Sequence, residues 1–281
     1  MIDCNACGIK HVELIDCDRN TSDFYEEKFY DEEKPDYIKD VEEDLDWWMA
    51  TYNNYFDILE KTTKGRRLLD IGSGPGYFLK CAKDRGWDEL GFEPSSVAHK
   101  YSSSLGVKVV NDFFKIEESK KIGKFDVISL NLVLEHIENP VDFVNGLKKF
   151  LNPGGVMYIF SPNDYNPLQK ILTTKLGFKP WWVAPTHHVN YFDFKSIKKF
   201  LKKLDFEIID LLATFPMEFF LLEGENYVGN REVGRRCHLR RKNFDLNLLK
   251  SNPNLLNTIY RDFAKQGIGR EFVAIAKVKK A

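Results

Sequence analysis

An α/β fold, with a parallel sheet covered by helices on both faces, is the class this sequence predicts, and three observations predict it. Short apolar runs alternate with helix-forming segments from Arg67 to Phe160, and such alternation sets strands side by side with crossover helices above and below. The first run, Arg67-Leu-Leu-Asp70-Ile71, leads directly into Gly72-Ser-Gly74-Pro-Gly76, where missing side chains let backbone pass close to a ligand. A second acid, Glu93, closes the next apolar run 23 positions beyond Asp70, near the roughly 20-residue spacing of a ribose-binding acid in a βαβ unit.

The chain has 281 residues, 43% of them hydrophobic, and a net charge of −1. That composition predicts one main domain with smaller additions, and no global field that would recruit nucleic acid or a membrane surface. No apolar run reaches the roughly 20 residues of a membrane span, and the acidic N-terminus lacks a signal-peptide pattern, so a cytoplasmic location is expected. Five cysteines, two of them isolated at Cys81 and Cys237, do not form a disulfide framework.

In chain order, Cys4-Asn-Ala-Cys7-Gly8 is a knuckle in which two thiolates can grip zinc, with Cys17 as a third ligand and His11 as a substitute fourth. Unmetallated thiols are the plainer alternative. Residues 23–46 carry twelve acids against three lysines, interleaved with aromatics such as Tyr25, Tyr30 and Tyr37. The aromatics argue against plain disorder and for helices that cap a site as a lid or serve as a structural cap. Trp47 to Leu59 reads as a helix. Residues 1–60 are therefore assigned to an N-terminal cap and residues 61–281 to the main domain.

Within that domain the expected strands are 67–71, 88–93, 107–110, 125–130 and 155–160, and the expected helices are 76–85, 95–104 and 140–151. The last helix shows an apolar stripe of Phe143, Val144, Leu147, Phe150 and Leu151, and Asn152-Pro-Gly-Gly155 reads as its stop. Asn131 ends the fourth strand, whose carboxyl end faces the crevice where open α/β sheets bind ligands. Residues 162–193 lack periodicity but hold Trp181, Trp182, His187, His188 and Tyr191, as a substrate-binding loop would. Residues 194–204 form an amphipathic helix, 206–212 a sixth strand and 270–277 a last strand. An insertion at about 214–269 separates these two strands. Inside it, residues 231–242 include Arg235 and Arg236 and carry a local balance of +5. Arginine forks match phosphate or carboxylate oxygens, so these two are candidates for an anionic substrate group, with ordinary surface pairing as the alternative. Nucleic acid is disfavoured, because base-stacking aromatics are absent from the patch.

The G-x-G-x-G spacing after Asp70 resembles motif I of the class I S-adenosylmethionine-dependent methyltransferases. A nicotinamide or flavin site would need glycine where Tyr77 stands. The resemblance implies a Rossmann-like seven-stranded sheet with its last strand antiparallel, a helical N-terminal cap and a C-terminal insertion. It implies that Gly72, Gly74 and Gly76 lie against the methionine part of the cofactor, that Asp70 helps hold its amino group, and that Glu93, followed by Pro94, takes the ribose hydroxyls. Asp112 and Phe113 fall where the family contacts adenine, and Asn131 is expected near the methionine moiety. The run Leu151 to Ser161 is similar to the family's turn into its fifth strand. Members of sugar and natural-product pathways carry cysteine knuckles similar to the one here. Glu135-His136 resembles the family's segment after strand four; some relatives bind a divalent metal there with an earlier Glu, but that position is Leu132. His188 to Phe192 resembles the H-x-x-x-F segment of many small-molecule members.

Methyl transfer needs alignment and, for a hydroxyl, a base, and histidine titrates in the useful range. His188 is the first candidate base, His187 the second and His136 the third, with Tyr191 a candidate substrate contact. The expected reaction is transfer of a methyl group from S-adenosylmethionine to an oxygen of a small anionic metabolite or sugar intermediate. A carbon or nitrogen acceptor, or a non-enzymatic cofactor-binding protein, stays open.

Overall fold

The computed structural model describes residues 2–4, 8–12, 35–185 and 188–279. The expected acidic segment therefore lies in part outside the described residues, as do Cys7, Cys17 and His187. The chain divides into two compact units. The first comprises Met1–Glu13, Leu134–Val141 and Ile159–Ala281, and the second Leu14–Val133 and Asp142–Tyr158.

The strands are β1 (Ile2–Asp3), β2 (Lys10–His11), β3 (Arg67–Ile71), β4 (Asp88–Phe92), β5 (Val109–Val110), β6 (Phe125–Asn131), β7 (Leu151–Pro162), β8 (Asn190–Tyr191), β9 (Phe206–Ala213) and β10 (Glu271–Val278). The helices are α1 (Tyr37–Glu43), α2 (Leu45–Thr62), α3 (Tyr77–Asp84), α4 (Ser96–Ser104), α5 (Pro140–Leu147), α6 (Pro167–Lys175), α7 (Phe194–Lys203), α8 (Glu218–Leu222), α9 (Arg231–Ser251) and α10 (Pro253–Gln266). Among the described residues, seven strands form one sheet in the order β5-β4-β3-β6-β7-β10-β9, and β1-β2-β8 form a small second sheet. β3 pairs in parallel with β4 and with β6, and β10 pairs antiparallel with β9. The winding reverses between β3 and β6, which makes their carboxyl ends the switch point of the sheet.

In the second unit, β3 buries Leu68, Leu69 and Ile71, as a strand covered on both faces must. The start of α2 lies two residues before the expected helix and its end three beyond. It buries Trp47, Tyr55, Phe56, Ile58 and Leu59. Phe56 stacks on Phe78 with ring centroids 4.8 Å apart, and Phe78 stacks on Tyr158 at 5.2 Å. At its outer end, Arg85 reaches Asp57 at 2.7 Å and Glu60 at 2.9 Å, and Trp87 Nε1 donates to Glu60.

Further element boundaries differ from those expected. The helix from Pro140 stops at Leu147, followed by a tighter turn at Lys148–Phe150, and the strand begins at Leu151 instead of 155. The Asn152-Pro-Gly-Gly155 stretch therefore lies inside β7. Backbone pairing carries on past the core here: a Cβ on Gly155 would come within 3.0 Å of Phe125 O, so only glycine lets the strands approach this closely. The strand expected at 107–110 is shortened to Val109–Val110.

In the first unit, α7 buries Phe194, Ile197, Phe200 and Leu201 and begins with a capping box between Asp193 and Ser196. The insertion folds as α8, α9 and α10. Met217, Phe220 and Cys237 pack together beneath Phe215, Tyr227 and Val233. No helix among the described residues is long and apolar enough to cross a membrane.

Candidate functional site

The glycine turn folds because β3 ends against β4. Gly72 N and Ser73 N both donate to Phe92 O, at 2.8 and 3.1 Å. Gly72, Gly74 and Gly76 all have positive φ, at 69°, 53° and 83°. A Cβ on Gly72 would meet Val133 Cγ2 at 2.7 Å, so the turn is closed to other residues by contact as well as by torsion.

Two buried acids flank this turn. Asp70 is 1% exposed, and neither of its carboxylate oxygens has a hydrogen-bond partner among the described residues. Burial pushes its pKa up to about 7, the Ser129 and Asn131 side chains restrain it in part, and Glu93 raises it further. Glu93 is held firmly: Oε2 accepts from Gly74 N at 2.7 Å and Oε1 from Ser95 N at 2.9 Å. Burial pushes its pKa up to about 7 as well, against those two amides. Each oxygen keeps a lone pair for a further donor.

Asn131 Nδ2 donates to Ser129 Oγ at 2.9 Å at the end of β6. Asp112 is exposed and accepts from Phe113 N, while Phe113 is half-buried. Asn111 was not foreseen: its Nδ2 donates to Glu93 O at 3.0 Å and to Pro94 O at 2.9 Å, fixing the backbone of both.

Two tyrosines were also missed as site residues. Tyr37 on α1 lies close enough to Glu93 for that charge to raise its phenol pKa, after burial, the larger cause. Tyr52 on α2 stands in the same relation to Asp70. Both keep part of their surface accessible while enclosed enough to titrate high, as groups lining a recess do. Tyr77, at the position that excludes a dinucleotide motif, joins Tyr101 through their hydroxyls, and Tyr101 donates to Glu42 of α1 at 2.5 Å.

In the first unit, the segment from Leu134 to Ile137 is zipped to residues 188–190. Val189 N donates to Glu135 O, and Asn190 Nδ2 donates to Leu134 O at 3.2 Å and Ile137 O at 2.6 Å. This brings His136 and His188 edge to face, with ring centroids 4.9 Å apart. Glu135 Oε1 stands 4.0 Å from His136 Nε2, and Oε2 accepts from Ser161 Oγ at 2.9 Å. Burial pushes the Glu135 carboxyl up to about 8. One ligand atom from each of Glu135, His136 and His188 lies within 4.8 Å of the others, a spacing that suits a proton relay or a metal ion. Leu132, at the earlier ligand position, has φ 53° and offers no ligand atom.

Tyr191 is 2% exposed, and its hydroxyl accepts from Ala184 N at 3.1 Å, pinning the loop before His188. Arg235 and Arg236 lie on the exposed side of α9, where Arg236 faces Glu225 at 3.4 Å. Arg240 pairs with Glu225 and Glu223 and lies over the Phe220 ring. At the N-terminus, Gly8 N donates to Cys4 O as a knuckle requires, and the Cys4 side chain hydrogen-bonds to His11.

A family model described as a methyltransferase domain matches residues 42–211, more than half of the chain. The chain belongs to this methyltransferase family, and to its class I S-adenosylmethionine-dependent fold. Among curated proteins it is similar to the ubiquinone biosynthesis O-methyltransferase of Actinobacillus pleuropneumoniae, 28% identical over 109 residues, 35% of this chain and 47% of that one. The Escherichia coli protein of the same description is 29% identical over 105 residues, 35% of this chain and 44% of that one. The chain thus spans about half the length of the curated relatives it matches. Among solved structures, a methyltransferase from Archaeoglobus fulgidus shares 18% identity at TM-score 0.52, over 81% of this chain and 92% of that one. The plantazolicin methyltransferase BpumL in complex with SAH shares 16% at TM-score 0.54, over 92% and 94%. At these identities the likeness shows the fold alone.

Proposed function

We propose that the chain transfers a methyl group from S-adenosylmethionine to an oxygen of a small-molecule acceptor, either an anionic metabolite or a sugar intermediate. The observation that carries this reading is the pair of buried acids around the glycine turn. An unpartnered carboxylate at Asp70 suits a cationic amino group, which would supply the charge that burial now withholds. Glu93, braced by two amides, suits a ribose diol. The left-handed turn at Gly72, Gly74 and Gly76 keeps side chains off the backbone there, and Pro94, Asp112, Phe113 and Asn131 complete the cofactor residues of the proposal. S-adenosylmethionine is the cofactor of the family, and when bound it supplies a methyl group already activated on a sulfonium.

For the acceptor, His188 takes the hydroxyl proton as the oxygen attacks, with its ring set edge to face against that of His136. Replacement of His188 by Ala lowers turnover by about 10²–10⁴-fold and leaves cofactor affinity unchanged; an unchanged rate removes it as the base. Calorimetry is the test of the reading as a whole. Tight binding of S-adenosylmethionine with none of NADH is expected, and no binding of S-adenosylmethionine defeats it. A second reading, favoured by the mutual approach of Glu135, His136 and His188, has them hold a divalent cation. Loss of activity on chelation, restored by added metal, selects it. Structural zinc on Cys4, Cys7 and Cys17 is a separate proposal, tested by metal analysis of the purified protein.

A further inference from the structure

Within the first unit, behind the loop that follows β7, lies a set of charged groups that the base and the metal reading do not use. Arg270, at the start of β10, makes no hydrogen bond through its guanidinium among the described residues. Its ion-pair contact is a long one, with Nε 3.7 Å from Glu271 Oε1. Asp164, Glu218, Tyr227 and Glu271 all lie close enough to act on its charge, yet the side chain keeps 37% of its surface accessible. Asn163 N donates to Arg270 O at 3.1 Å, which sets Asp164 next to the start of β10.

The groups facing Arg270 are equally unsatisfied. Asp164 is 5% exposed, and no described residue donates to its carboxylate. Glu218 is fully buried, with Oε1 accepting from Asn166 Nδ2 and Gln169 Nε2, both at 3.1 Å, while Oε2 has no partner. The Tyr227 hydroxyl has none either.

These groups are rigidly presented. Asn166 caps α6 through its Oδ1 and donates to Asn163 O, so Glu218 is braced from behind by fixed amides. Tyr165, beside Asp164, is held at φ 56°, a conformation costly for a bulky residue. A structural ion cluster has another form, which the same unit displays: Arg261 grips Asp210 with two hydrogen bonds of 2.6 and 2.8 Å. Buried donors and acceptors left unpaired destabilise a fold, and their retention points to a ligand that completes them.

We propose that Arg270, Asp164, Glu218 and Tyr227 form a pocket for a small uncharged polyhydroxylated group, whose adjacent hydroxyls donate to the carboxylates and accept from the guanidinium. A hydroxyl both donates and accepts, so a diol satisfies the two charge types at once. A phosphate or carboxylate would meet Arg270 but be repelled by Asp164 and Glu218. Burial pushes the Asp164 carboxyl up to about 7 and raises that of Glu218, and hydroxyl donors would offset that penalty on their charged forms. The inference rests on the methyltransferase reading and narrows its acceptor to the sugar-like class, away from anions.

The test uses the full chain with myo-inositol, D-mannose and D-ribose as probes, and with inorganic phosphate and acetate as anions, by calorimetry and saturation-transfer NMR. The comparison protein carries Arg270→Met together with Asp164→Asn. Binding of at least one polyol is expected, weakened by about tenfold or more in the double variant, with S-adenosylmethionine affinity within about twofold. The melting temperature of the double variant should not fall. The proposal is overturned if no polyol binds, if the double variant binds polyols as well as wild type, or if an anion binds more tightly than every polyol. A fall in melting temperature of about 5 °C or more also overturns it, because it marks the cluster as structural. Failure of the wild-type chain to bind S-adenosylmethionine defeats the methyltransferase reading alone; the polyol titration decides the pocket in either case.

Discussion

Asp70 keeps a carboxylate with no hydrogen-bond partner at the end of β3. That arrangement favours ligand binding at the expense of the ligand-free fold. Asp70→Asn should weaken S-adenosylmethionine binding by about 1.5–3 kcal/mol, the worth of a charged hydrogen bond. At pH 8 the ligand-free variant should melt no lower than wild type, since the buried charge is gone; calorimetry and thermal melts check both halves. Gly76 tests the turn by sterics. Its φ is 83°, and a Cβ there would lie 2.6 Å from the Cβ of fully buried Ser102, so Gly76→Ala should cost about 2–4 kcal/mol in urea denaturation. Gly86, at φ 79° with open space around it, supplies the control and should lose only the torsional part, about 1–2 kcal/mol. At this scale the sequence was informative wherever residues act as neighbours: Asp70, the three glycines and Glu93 stand close enough in the chain for their spacing to reveal a site. Tyr37, Tyr52 and Asn111 gave no such signal, because their positions near the acids depend on how α1, α2 and β5 pack.

Among the elements, β8 and the residues before it show what a two-residue strand can do. Asn190 is buried and bridges Leu134 O and Ile137 O, which holds His188 against His136. Asn190→Ala should leave two buried carbonyls short of a donor and cost about 1–3 kcal/mol. It should also lower turnover without changing cofactor affinity, and equal losses in both would mean that the fold, not the histidine pair, had failed. The next element, α7, was readable in advance because its apolar stripe repeats every three or four residues and Asp193 caps it. The stretch from 162 to 193 was read as a loop and in fact holds α6, whose Asn166 cap and Pro167 are local signals, while the remainder is tied by hydrogen bonds to residues some fifty positions away. The start of β7 was misjudged for a related reason: Pro and two glycines signal a turn locally, and Gly154 does turn to φ 84°, yet the strand runs through them from Leu151.

Across the whole molecule, the buried carboxyls set the response to pH. Asp70, Glu93 and Asp164 are pushed up to about 7 and Glu135 to about 8, all by burial. A carboxyl whose folded pKa exceeds its unfolded value stabilises the fold fully below the unfolded value, and that stability is lost as pH rises through the folded one. Glu60 and Asp88 are shifted down, so their contribution is already complete above about pH 5 and does not oppose the trend. The ligand-free protein should therefore lose melting temperature from about pH 5.5 to 8.5, while the stabilisation given by S-adenosylmethionine grows over the same range. A flat or rising profile in thermal melts would show that these carboxyls are solvated.

The sequence by itself determined the α/β alternation and the glycine turn with its two flanking acids, because each depends on residue type and short spacing, while the antiparallel end of the sheet was implied only by the family resemblance. Only the tertiary structure decided which histidines meet, that Asn111 orders the backbone behind Glu93, and that Asp164 and Glu218 act on the charge of Arg270. Those groups come from segments far apart in the chain, and the burial that shifts and isolates them exists only once the segments have packed.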